Sequence, residues 1–162
     1  MIFLFGAHFL CAVFCLTKQK KGITTIQLNL IKHSDDVFAR DVYKIARVIY
    51  AETCAQSLRV VEALASMISN GARASGESEL DFVMKSGLFE CLDKKSSHHD
   101  LLNVNPNART FQMCLRVTDK MLKHNLMDCC FGATKFHRTE LNPSWSIARG
   151  YIFDMDGLLF YT

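Results

Sequence analysis

Glu52 is the residue whose setting most asks for a chemical explanation. It belongs to the stretch Arg47-Val-Ile-Tyr-Ala-Glu-Thr53. On a helical projection Val42, Ile45, Ala46, Val48 and Ile49 share one broad apolar stripe. Glu52, one turn beyond Val48 and Ile49, falls inside that stripe, while Lys44 and Arg47 lie on the other side. A carboxylate on a core-facing stripe is costly unless it is paired, hydrated in a cleft, or protonated. It also stands near the expected C-terminal end of the helix, where the dipole opposes negative charge. Both effects push its pKa upward, the property a general acid needs near neutral pH. The alternative is that Glu52 only marks the helix end, with its carboxylate turned to water.

The surrounding elements follow from the apolar spacing. A first helix is expected over residues 37–52, opened by Ser34-Asp-Asp36 with Ser34 or Asp35 as its cap. Residues 53–57 form a turn, and Ser57 caps a second helix whose Leu58, Val61, Leu64, Ala65 and Ile68 have core spacing. Asn70-Gly71 is expected to end it. Residues 74–78 read as a loop, 79–85 as a short helix, and 86–106 as a long irregular polar segment. A loop of that length in a small domain is functional or mobile. A third long helix is expected over 108–127, with Phe111, Cys114, Leu115, Thr118, Met121 and Leu122 on its apolar side. After Asp128 the pattern changes, and residues 132–137, 150–153 and 158–161 read as short extended pieces.

The chain has 162 residues, enough for one domain with a real core. Hydrophobic residues make up 49% and charged residues 22%, a globular rather than a disordered balance. A net charge of +3, with Lys and Arg scattered, is too mild to argue for nucleic acid. It suits an acidic polymer without demanding one. The seven cysteines show no C-x-x-C pair and no Cys/His ligand spacing, so neither a metal nor another cofactor is expected. Two of them lie in the N-terminal apolar segment, and the remaining five cannot pair completely, although one bridge would fit an oxidising compartment.

Residues 1–17 are almost wholly apolar and are followed by Lys18-Gln-Lys-Lys21. The run is short for a membrane span and lacks the basic residues expected before a signal-peptide core. An export or anchor segment over residues 1–21 remains the preferred reading, with a buried N-terminal element of the fold as the alternative. Residues 22–36 then serve as a linker, although 23–30 also suits a short strand. The remaining domain covers 37–162.

Ala46-Arg-Val-Ile-Tyr-Ala-Glu52, then Ser57, then Val61-Glu-Ala-Leu-Ala-Ser-Met-Ile-Ser-Asn70 closely resembles the opening of the cell wall hydrolases of the SleB, or spore-cortex-lytic, type. Three further pieces recur in that family's order. Gly87-Leu-Phe-Glu-Cys91 is similar to its Phe-x-Cys segment. Gly132-Ala-Thr-Lys-Phe-His137 is similar to its Gly-Ala-x-x-Phe/Tyr-His segment. Asn142-Pro-Ser-Trp145 with Phe160-Tyr161 is similar to its Pro-x-Trp and closing His-x-Phe-Tyr pieces. The resemblance spans roughly residues 39–161. Three places depart from the pattern: Asn70-Gly71 stands for Asn-Arg, Leu158 for the closing histidine, and Asp128-Cys-Cys-Phe131 for an Asp-Pro-Thr-like approach.

The resemblance implies a mainly α (α+β), lysozyme-like helical domain with a small β-sheet or hairpin. It implies a lytic transglycosylase acting on the β-1,4 bond between N-acetylmuramic acid and N-acetylglucosamine in peptidoglycan glycan strands. Glu52 matches the family's catalytic glutamate. A two-carboxylate glycosidase needs a second acid roughly 5–9.5 Å away. A lytic transglycosylase does not, because the muramic hydroxyl itself attacks the anomeric carbon. Glu62, Asp154 and Asp156 have no compelling position, so a single-acid mechanism is expected. Ser57, Phe89, Phe136, His137, Trp145 and Tyr161 are the expected substrate-binding positions, since aromatic faces pack on sugar rings. Core roles for Phe89 and Phe136, and a cap role for Ser57, are the alternatives. The implied setting is a bacterial cell envelope, with membrane association through the N-terminal segment.

Two other functions compete. A non-catalytic relative would bind glycan or join an envelope assembly. A cysteine-dependent amidase or peptidase would use Cys54 and His137, but Glu52 two residues away disfavours the Cys54 thiolate.

Overall fold

The computed structural model describes residues 37–162. The expected leader and linker, and the Ser34-Asp-Asp36 helix start, lie outside the described residues. The first helix, α1, spans Val37–Thr53. Val42, Ile45, Ala46 and Ile49 are buried as their spacing requires, and Tyr50 and Ala51 are buried as well. A helix buried beyond one stripe must be covered on several sides. α1 packs against every later helix and against the two 3₁₀ turns that follow α3.

Helix α2 spans Leu58–Ser75. Ser57 caps it from an extended conformation, its hydroxyl accepting the Val60 N–H at 3.2 Å. The expected end at Asn70-Gly71 is wrong, and the helix runs on through Ser75. Its stop is Gly76, which takes the left-handed conformation at φ 71°, while Glu77 N–H donates to Ala72 O at 3.0 Å. Gly71 is in the helix for a packing reason. A Cβ there would run into the ring of Phe82, which belongs to α3, Glu79–Lys85. The phenyl ring uses the space that a glycine leaves, and this outweighs the roughly 1 kcal/mol helix penalty of the glycine.

The long polar segment contains two 3₁₀ turns, Glu90–Leu92 and His99–Asn103. Helix α4 spans Arg109–Leu122, shorter than its apolar pattern implied. Phe111, Cys114, Leu115, Thr118 and Met121 form its buried side. The helix ends because His124 adopts φ 55°, with Asn125 N–H donating back to Lys120 O at 2.8 Å. The chain then crosses α2, and the Ser66 hydroxyl donates to Met127 O at 3.2 Å.

Three strands close the domain: β1 Lys135–Arg138, β2 Phe153–Met155 and β3 Leu158–Tyr161. They form an antiparallel sheet in the order β1-β3-β2. Asp156-Gly157 joins β2 to β3, both at positive φ (49° and 82°), the conformation that suits a two-residue hairpin. Phe136, Leu158 and Phe160 face the core. The architecture is mainly α with a small three-stranded sheet.

Asp128 stabilises the approach to β1. Its carboxylate accepts from Cys130 N–H (2.9 Å), the Cys130 thiol (3.1 Å) and Gly132 N–H (2.8 Å). Burial raises its pKa, but these bonds and one from Asn70 outweigh it and hold the carboxyl below its ordinary value of 3.8. A lowered folded value means that the stabilisation is complete above 3.8 and declines as pH falls through the folded value. The stability difference between wild type and Asp128→Asn should therefore be largest at neutral pH and shrink below about pH 4 in denaturant titrations. Gly71→Ala should cost about 1–3 kcal/mol by overpacking against Phe82, read as a lower thermal midpoint.

Candidate active site

Glu52 is the penultimate residue of α1 and is only 1% exposed. It lies on the core-facing side of the helix, as the apolar stripe requires, and is not turned to water. Its Oε1 accepts the Cys91 N–H at 2.8 Å, and its Oε2 accepts from an Arg138 terminal nitrogen at 3.1 Å. The same nitrogen donates to Glu52 O at 2.6 Å and Ala51 O at 3.2 Å. Arg138 therefore neutralises the carboxylate and also caps the carbonyl end of α1, where positive charge is favourable.

A second carboxylate meets the same guanidinium. Glu90 Oε2 lies 3.5 Å from Arg138 Nε. Its other oxygen accepts from the Ser96 hydroxyl at 3.1 Å and lies 4.0 Å from His98 Nδ1. The backbone amide after Glu90 is the one that binds Glu52. His99 Nδ1–H donates to Cys91 O at 2.9 Å and steadies that turn. Exposure rises outward through the group, from 1% for the Glu52 side chain through 11% for Arg138 to 27% for Glu90.

Neither Arg138 nor Glu90 was singled out in the sequence. A buried Glu52 demanded a cation, but 19 Lys and Arg residues offered no means of choosing one. Glu90 lies inside the Gly87-Leu-Phe-Glu-Cys91 motif and is not among Glu62, Asp154 and Asp156, the second acids that the sequence brings forward. Of these, Asp156 is engaged elsewhere, accepting from the Ser57 hydroxyl at 2.6 Å. Ser57 thus caps α2 and ties the hairpin tip to it.

The expected sugar-binding residues do not gather at Glu52. Phe89 and Phe136 are core residues, 4% and 1% exposed, with ring centroids 5.4 Å apart. They offer no open face to a sugar. His137 and Arg138 are neighbours on β1, so their side chains leave the sheet on opposite faces. Arg138 goes with Phe136 towards α1. His137 goes with Lys135 and the paired Tyr161 to the other face. There His137 Nδ1–H donates to Arg138 O at 2.7 Å, and in the neutral imidazole the Tyr161 hydroxyl donates to Nε2 at 2.8 Å. Both ring nitrogens are thereby used, and His137 does not orient Glu52. Half-buried Trp145 meets His137 and Tyr161 edge-on at 5.5 and 5.2 Å, and Lys135 Nζ lies 5.8 Å from its ring centre.

Burial disfavours the thiolate at Cys91 and Cys114. Burial, followed by the charge and hydrogen bond of Glu52, pushes Cys91 far above its ordinary value. Burial pushes Cys114 up to about 12. None of the five cysteines among the described residues forms a disulfide, and Cys91, Cys114 and Cys130 lie in the hydrophobic core. Comparison of the chain with protein-family models, with curated proteins and with solved structures finds no match.

Breaking the Glu52–Arg138 pair from one side leaves a buried uncompensated charge. Arg138→Ala should destabilise the fold by about 3–5 kcal/mol in urea unfolding. Glu62→Ala, at a half-buried position without a described ion pair, should cost well under 1 kcal/mol in the same assay.

Proposed function

We propose that the domain cleaves peptidoglycan glycan strands between N-acetylmuramic acid and N-acetylglucosamine as a lytic transglycosylase, with Glu52 as its acid and base. The observation that carries this reading is the placement of Glu52. It is a carboxylate at the C-terminal end of a core helix, held between one guanidinium and one backbone amide, at the position matching the glutamate of the SleB-type cell wall hydrolases. Glu52 gives its proton to the glycosidic oxygen as the bond to the anomeric carbon breaks. The muramic C6 hydroxyl attacks that carbon, and its proton returns to Glu52. The products are a free 4-hydroxyl and a 1,6-anhydro end, with no water consumed. The lysozyme-like architecture, the bacterial envelope setting and membrane association through the N-terminal segment belong to the same proposal.

One observation favours a second reading. Glu52 is 1% exposed and both its oxygens are hydrogen-bonded, so a purely structural carboxylate in a non-catalytic glycan-binding relative has the same contacts. The two are separated by incubating residues 18–162 with purified peptidoglycan and analysing the released sugars by mass. Wild type should release anhydromuramic ends, and Glu52→Gln should reduce release by about 10²–10⁴-fold while still sedimenting with the polymer. Binding by both proteins without release would favour the non-catalytic reading. Reducing ends from wild type would mean that water attacks instead.

A further inference from the structure

The polar loop does more than cover α1, because it brings a second carboxylate to the buried one. We infer that Glu90 is a catalytic residue, the solvent-facing carboxylate that stabilises the positive charge developing at the anomeric carbon during glycan cleavage. This rests on the proposed glycosidic reaction and adds to it a group that the single-acid mechanism does not contain.

Three observations carry the inference. Glu52 and Glu90 approach opposite parts of one guanidinium, at 3.1 and 3.5 Å. Two oxygens in contact with one planar fork lie within roughly 9 Å of each other, no farther apart than carboxylates that act in pairs on one glycosidic bond. Exposure then divides their roles. A substrate reaching this group from solvent meets Glu90, at 27%, before Glu52, at 1%. Finally, the group is not closed upon itself. Arg138 Nε is buried and has no hydrogen-bond partner, since 3.5 Å to Glu90 is an ionic contact and not a bond. A buried donor without an acceptor, beside a half-buried carboxylate, matches a hydroxyl-bearing or amide-bearing ligand such as a sugar ring. The Ser96 hydroxyl fixes the far oxygen of Glu90, leaving Oε2 facing Arg138.

In the reaction Glu90 forms no covalent bond. As the leaving oxygen takes the Glu52 proton, positive charge spreads over the anomeric carbon and ring oxygen, and the carboxylate opposes it. The charge disappears when the muramic hydroxyl closes the new bond. Such a group acts on the transition state and little on the bound substrate, so its removal lowers kcat and leaves KM.

The test compares wild type, Glu90→Gln and Glu90→Ala on isolated glycan strands, with thermal unfolding in parallel. Glu90→Gln preserves an acceptor for Ser96, and should lose about a hundredfold in kcat with KM changed less than threefold. Added formate, which can occupy the space and supply a carboxylate, should restore part of the Glu90→Ala rate and none of the Glu52→Gln rate. If Glu90→Gln keeps the wild-type kcat, or formate restores nothing to a folded Glu90→Ala, Glu90 serves only to hold Arg138 and the inference falls. If wild type itself releases no sugar, the glycosidic reading fails first and takes the inference with it.

Discussion

The Arg138 guanidinium is the constraint on which the region around Glu52 depends. One terminal nitrogen binds two carbonyls and the carboxylate at the end of α1, and Nε faces Glu90 on the loop. Three parts of the chain, far apart in sequence, meet at one side chain. The planar fork of arginine suits this, because its donors diverge at fixed angles while its charge is permanent. A lysine could supply the charge but not the simultaneous contacts. Burial makes the arrangement demanding: carboxylate and guanidinium are costly to desolvate and are tolerated because their partners are in place. The sheet is therefore not an appendage. Its first strand ends at Arg138, and the core contacts of Phe136 and Phe160 set where that strand lies.

Much of this was legible in the sequence, for physical reasons. The α1 stripe placed Glu52 in the core because helical period alone decides which face a residue takes. Ser57 as a cap followed equally directly from local chemistry, and the pieces read as extended over 132–137, 150–153 and 158–161 overlap the three strands, the second at Phe153 alone. The misplaced ends show where local reasoning stops. Asn70-Gly71 has the composition of a helix terminus, but Gly71 answers to Phe82, eleven residues later. The α4 pattern continued past Leu122, while the backbone turned at His124, a residue type that admits the left-handed region less readily than glycine. In each case a tertiary contact or a cap geometry overrode a sound local signal.

The site itself was half legible. Glu52 was identifiable because its environment conflicted with its charge. Arg138 was not, because a cation on a strand carries no mark of the carboxylate it will meet. Strand period puts His137 and Tyr161 on the face of the sheet opposite to the one from which Arg138 meets Glu52. Alternation along Phe136, His137 and Arg138 sends the middle residue away from the other two, a consequence of sequence order alone. The departure at Leu158 gains meaning in the same way. Leu158 pairs with Arg138 on β1 and is 1% exposed. It lies on the core side of the sheet, where a histidine would require a buried hydrogen-bond partner. An apolar residue there is consistent with the packing beneath it.

The proposed chemistry turns on the tension between holding Glu52 and using it. A proton donor must present an oxygen to the leaving group, yet both Glu52 oxygens have donors in the structure described. Each carboxylate oxygen has more than one lone-pair direction, so one bond per oxygen does not exhaust its capacity. The groups that meet its oxygens are Arg138 and the turn that carries Glu90 and Cys91. These groups are polar, and 3₁₀ turns have weaker hydrogen-bond geometry than α-helices. A shift of the guanidinium towards Glu90 would shorten a 3.5 Å contact while lengthening a 3.1 Å one, exchanging one carboxylate partner for another. Because a second acceptor waits on the outer side, uncovering Glu52 need not strand a buried cation. Two acids across one arginine would thus reconcile a stable buried pair with the access that the proposed reaction requires.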